Sequence, residues 1–89
     1  MIKEVPINQI IPIAEMGNLF VIRKKNSING KIEFSTGTGG ESISYLLNMD
    51  EDKTFDIPKI IETRHLKYIP KYVEFKTDEK LDSIIVDIF

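Results

Sequence analysis

A small α+β domain is the fold class predicted for residues 1–89: an antiparallel sheet of four to five strands with one or two helices packed on one face. Three observations predict it. A chain of 89 residues has room for one small hydrophobic core, and so for a single domain. Short runs of alternating apolar and polar residues recur in the first half and at the end of the chain, the period of half-buried strands. Two middle segments carry helix-start signals followed by apolar residues at helical spacing.

The elements follow in order. Val5-Pro6-Ile7 and Ile10-Ile11-Pro12-Ile13 are apolar but interrupted by prolines, which cannot donate to a ladder, so this stretch reads as an edge strand or a wrapped segment. Residues 19–25 and 31–36 read as a hairpin around Asn26-Ser27-Ile28-Asn29-Gly30. A two-residue Asn-Gly loop would put Phe20 and Ile22 on the face opposite Ile32 and Phe34, because opposed residues share a face. An odd-length loop with Gly30 in a left-handed or bulge position gathers all four on one face, and is the register the pattern predicts. Thr38 with Glu41 forms a capping-box pattern, and Ile43, Leu46 and Leu47 then recur at helical spacing, so a helix is expected over 39–49.

Asp56 can cap a second helix with Pro58 in its first turn, although residues 53–57 also fit a short strand. Its apolar face would hold Ile57, Ile60, Ile61, His65 and Tyr68. Residues 71–76 and 83–89 are strands, and the polar connector between them suits a hairpin. The last strand is apolar on both faces except for Asp87, so it belongs between neighbours or at an interface. The expected order is β-β-β-α-α-β-β.

Composition removes several chemistries. The chain has no cysteine, hence no disulfide, thiolate nucleophile or zinc ribbon, which fits a reducing, cytosolic setting. No run approaches the ~20 apolar residues of a membrane span, and no secretory leader pattern is visible. The formal net charge is -2, with alternating blocks: Asp50, Glu51, Asp52 and Asp56 against Lys53, then five bases against two acids over 57–76, then an acidic tail. Such alternation favours a solvated, self-complementary surface over a nucleic-acid footprint. Arg23, Lys24, Lys25, Arg64 and Lys67 are the residues a nucleic acid would use, and nucleic acid is not the expected partner.

The remaining site candidates are a glycine-rich loop, an acidic stretch, a histidine and an apolar strand. Thr36, Gly37, Thr38, Gly39, Gly40 and Ser42 lie between a strand and an expected helix N-terminus, where unhindered N–H groups can cradle an anion or nucleotide. The loop departs from the P-loop pattern, with Glu41-Ser42 where Lys-Ser or Lys-Thr belongs. Residues 50–56 space oxygen ligands like a calcium loop, but Phe55 occupies the glycine position and Ile61 the position of the bidentate Glu. No metal and no cofactor is expected. His65 is the sole histidine, and nothing local sets a serine and an acid beside it for nucleophilic catalysis.

Function therefore points to a small non-enzymatic binding or regulatory protein acting through protein–protein contacts. A phage- or mobile-element-type inhibitor is the kind of binding protein a chain of this size suggests. The alternative is an anion- or nucleotide-binding protein using residues 36–42. Adjacent side chains of a strand point to opposite sides, so Ile84, Val86 and Ile88 cannot share a face with Ile85 and Phe89. Ile85 and Phe89 are accordingly the expected interface of a homodimer.

Overall fold

The computed structural model describes residues 1–37, 41–48 and 50–89. In chain order it contains β1 (Ile2–Pro6), β2 (Ile10–Pro12), β3 (Leu19–Ile22), β4 (Asn29–Ser35), β5 (Ser42–Asn48), β6 (Lys53–Asp56), the helix α1 (Ile57–Thr63), β7 (Tyr72–Lys76) and β8 (Ser83–Ile88). Single 3-10 turns lie at Ile13–Met16 and Lys24–Asn26. The strands form two four-stranded antiparallel sheets, ordered β1-β8-β3-β6 and β2-β7-β4-β5. The expected single sheet with helices on one face is thus corrected to a mostly β architecture of two sheets and, among the described residues, one helix.

The sheets face each other across one core. Phe20 stands at its centre, stacked on Phe55 of its own sheet at 5.3 Å between ring centroids and 6.4 Å from both Phe34 and Phe75 of the opposite sheet. Val5, Ile22, Ile84 and Val86 enter from the first sheet, and Ile11, Ile32, Leu47 and Val73 from the second. Alternation along each strand sets this inward face.

Pairing overturns three expectations. Strands β3 and β4 do not form a hairpin: β3 pairs with β6 and β8, and β4 with β5 and β7. Phe20, Ile22, Ile32 and Phe34 do share one core, but from opposite sheets. The reason lies in the connection, where Ile28 is completely buried. An isoleucine at a hairpin tip would face water, whereas an arch across the core buries it, worth about 2–3 kcal/mol. Ser27 rather than Gly30 takes the left-handed conformation, at φ 53°. Gly30 lies inside β4 for a different reason: a Cβ there would collide with the Lys76 carbonyl oxygen and sit 3.0 Å from Thr77 Cβ.

The expected helix over 39–49 is a strand where it is described. Strand β5 pairs with β4 along its whole length, from Ser35↔Ser42 to Asn29↔Asn48. Ile43, Tyr45 and Leu47 point inward, and Leu46, needed for the helical face, is 83% exposed. The third correction concerns β7 and β8, which lie in different sheets and do not pair. The last strand does sit between two neighbours, β1 and β3, as its double apolar face requires.

Two asparagine side chains replace missing strand segments. Beyond Ile22 the chain leaves its sheet, and the Asn26 amide takes its place: Asn26 Oδ1 accepts from the Ile85 N–H at 3.0 Å while Asn26 Nδ2 donates to the Ile85 carbonyl at 2.9 Å. Asn8, at φ 56°, does the same for Thr77, with both bonds at 3.1 Å. Residues 53–63 resolve as strand then helix. The Asp56 side chain caps α1 by accepting from the Lys59 N–H, with proline in the first turn, as the sequence predicts. Ile57 and Ile60 are buried while His65 and Tyr68 are exposed, so the apolar face ends earlier than helical spacing suggests. No helix of the described residues is long and apolar enough to cross a membrane.

Candidate functional site

The glycine-rich loop is the turn of the β4–β5 hairpin. The Thr36 N–H donates to the Glu41 carbonyl at 3.1 Å, and Gly37 adopts φ 131°, a conformation open to glycine. Ser42 opens β5. Thr38, Gly39 and Gly40 lie outside the described residues. With β5 extended, the helix N-terminus that would have focused N–H groups on an anion is not formed.

The basic candidates are divided. Arg23 Nε donates to Asp87 at 2.6 Å and Nη1 to Asp52 at 3.2 Å, and the Lys24 main-chain N–H donates to Asp52 at 2.9 Å. These donors, the Lys24 N–H first and Arg23 second, hold the Asp52 carboxyl below its ordinary range, while Asp87 and then Asp52 raise the Arg23 guanidinium. Arg64 lies over the Tyr45 ring at 5.1 Å. Arg23, Lys24 and Lys25 adjoin the start of β6, whereas Arg64 and Lys67 follow α1 beyond its end. Asp52, Thr54 and Asp56 alternate along an extended segment rather than curling around an ion, and no described group of three His, Cys, Asp or Glu residues is placed to hold a metal.

Ile85 and Phe89 lie on the outer face of the first sheet. Ile85 is half-buried and Phe89 is 67% exposed, and the similarly exposed Ile2 pairs with Asp87 on the same strand edge. No described helix covers this face.

The sheet edges differ in a way that the ladder reveals. Along β1, the Met1 and Ile88 main chains exchange both bonds, which turns the N–H groups of Ile2 and Glu4 outward and puts Pro6 at an outward position. Lys3 shares the inward side with Val5 and is met there by Glu15 at 3.0 Å. On β2, three residues long, the Ile13 N–H to Lys71 bond sets the same parity and makes Pro12 outward. Strand β6 is only four residues long. Prolines, inward charges and short length are the usual protections of an edge.

Strand β5 has none of them. Its seven residues, Ser-Ile-Ser-Tyr-Leu-Leu-Asn, include no charge and no proline. The Thr36 to Glu41 bond fixes its parity, so Ile43, Tyr45 and Leu47 bond to β4 while Ser42, Ser44 and Leu46 turn their N–H and C=O groups outward. Among the described residues these groups have no main-chain partner. Beside the edge runs a groove of about 280 Å³ between the two sheets, lined by Tyr45, Leu46, Lys53, Thr54, Phe55 and Ile60. Alternation of Ser42-Ile43-Ser44-Tyr45 is the sequence signal that would have found this strand.

A larger open groove near the β7–β8 connection is already spoken for. Its polar groups bond one another: Thr77 Oγ1 donates to the Asn29 carbonyl at 2.6 Å and accepts from the Glu79 N–H, while the Asn29 N–H donates to the Glu79 carboxylate at 3.0 Å. A ligand at the Thr77, Asn29 and Glu79 groups would have to break these bonds first. Comparison with protein-family models, curated proteins and solved structures gives no match.

Proposed function

We propose that the chain is a small protein-binding module, acting without catalysis in a cytosolic setting, that takes an extended segment of a partner onto the free edge of β5. The observation that supports this reading is the contrast among the edges: β1, β2 and β6 carry protections against strand pairing, and β5, the longest of the four, carries none. An added strand satisfies the outward main-chain groups of Ser42, Ser44 and Leu46, and its alternate side chains point into the groove beside Tyr45. Capturing such a segment is a direct route to inhibition or regulation of the protein that supplies it.

The test uses a fluorescent synthetic peptide of alternating threonine and valine, followed by anisotropy, with wild-type chain and with Ser44→Pro. Proline at that outward position leaves the β4 ladder intact, as Pro6 and Pro12 do on their own strands, but removes one docking donor. Leu46→Lys serves as a second edge-blocking variant. Binding to wild type that both variants lose supports the reading; equal binding by all three overturns it.

A second reading is favoured by the exposed Ile2 and Phe89: a homodimer through the outer face of the first sheet, with Ile85 at its centre. Sedimentation of wild type and Phe89→Asp tests it. A dimer that the substitution dissociates supports it, and a monomeric wild type at tens of micromolar rejects it.

A further inference from the structure

Resting on the strand-addition reading, we infer that the β5 edge selects a segment with an apolar residue at its centre and basic residues at both ends. The centre follows from parity. In an added antiparallel strand, the residue opposite Tyr45 shares its inward direction. It enters the groove between the two sheets, where Tyr45, Phe55 and Ile60 supply apolar walls. An apolar side chain buries surface against these three residues, with Lys53 and Thr54 also lining the groove.

The ends follow from charge. Strand β5 is uncharged from Ser42 to Asn48 but is bracketed by Glu41 and Asp50. Both are exposed, and neither is in an ion pair among the described residues. Glu51 is different, because Lys53 already meets it at 3.1 Å. A segment long enough to pair with the whole strand therefore ends beside a carboxylate at each side.

The same bracket argues against a second copy. Two β5 strands paired about a two-fold axis through Tyr45 would set Glu41 of one opposite residue 49 of the other, one position from Asp50, at both ends of the new ladder. Like charges across a strand pair oppose association. A partner with lysine or arginine at these positions replaces two repulsions with two attractions.

The experiment measures anisotropy with peptides of about nine residues, enough to span the strand. They share an alternating threonine–valine core and end in lysine, serine or glutamate. The lysine-ended peptide is expected to bind roughly fivefold tighter than the serine-ended one, and the glutamate-ended one weaker by a similar factor. High salt compresses the ranking, and the double variant Glu41→Gln with Asp50→Asn abolishes it while leaving the serine-ended peptide unaffected. Replacing the central valine by serine weakens binding roughly tenfold.

An equal or inverted ranking among peptides that all bind, and that all lose binding in Ser44→Pro, overturns the selectivity and leaves strand addition standing. Failure of every peptide to bind at millimolar concentration overturns both. Self-association of wild type that Ser44→Pro abolishes would identify a second copy as the occupant and overturn the inference.

Discussion

Replacing Asn26 by alanine should cost far more than its position in a loop suggests. Its amide makes three bonds: Nδ2 donates to the Arg23 and Ile85 carbonyls, both at 2.9 Å, and Oδ1 accepts from the Ile85 N–H at 3.0 Å. The alanine variant leaves both main-chain groups of Ile85 without a partner in the middle of a sheet. The site is only partly buried, so each group costs about 1 kcal/mol, with about half as much for the turn bond, giving about 2–3 kcal/mol in total. In a chain of this length that lowers the thermal midpoint by roughly 10–20 °C. Urea titration is the assay, with the midpoint moving and the slope unchanged. Asn26→Asp should lose nearly as much, since a carboxylate keeps the bond from the Ile85 N–H but faces two carbonyl oxygens. Asn48→Ala, an exposed control, should stay within about 0.5 kcal/mol of wild type. An Asn26→Ala variant as stable as that control would refute the idea that a side-chain amide completes the ladder.

Gly30→Ala should destabilise by about 3 kcal/mol in the same titration, because the colliding atoms are main chain and cannot swing aside; a neutral outcome would mean that β4 and β7 do not approach so closely. Asp56→Ala should cost about 1 kcal/mol by removing the cap on α1, with loss of helical ellipticity, and Asp56→Asn should recover most of it. Acid sensitivity provides a third check. The folded carboxyl of Asp52 titrates below its ordinary range, so its stabilisation is complete above that range and lost as pH falls through the lowered value. Urea midpoints measured from neutral pH down to about pH 3 should therefore fall less steeply for Asp52→Asn than for wild type, and identical slopes would contradict this.

Much of the strand content was legible in the sequence, and most of the pairing was not. Alternation tells which face of a strand is buried, and it puts Phe20, Ile22, Ile32 and Phe34 on inward faces. It does not tell which strand lies alongside. A hairpin and an arch between sheets satisfy the same parity, and only the burial of Ile28 separates them. Asn29-Gly30 looks like turn chemistry, yet Gly30 is required by a close main-chain approach and Asn29 by nothing in the turn. Among the strand connections of the described residues, β4–β5 alone is a hairpin within one sheet, and its sequence also fits a helical pattern. Ile43, Leu46 and Leu47 fit a helical face, while Ile43, Tyr45 and Leu47 fit a strand equally well. The exposure of Leu46 decides between them. The Asp56 cap, by contrast, is a local interaction, and local interactions can be read from neighbours in the chain. The open edge was invisible for the opposite reason, because an edge exists only once the order of strands is known.

Amide hydrogen exchange along β5 tests the open edge most directly. In the free protein the Ser44 and Leu46 amides should exchange rapidly while those of Ile43, Tyr45 and Leu47, bonded to β4, are protected. Saturation with the lysine-ended peptide should slow Ser44 and Leu46 to the level of their neighbours. Uniform protection along β5 before the peptide is added, or rapid exchange of Ser44 and Leu46 that persists in its presence, would contradict the account.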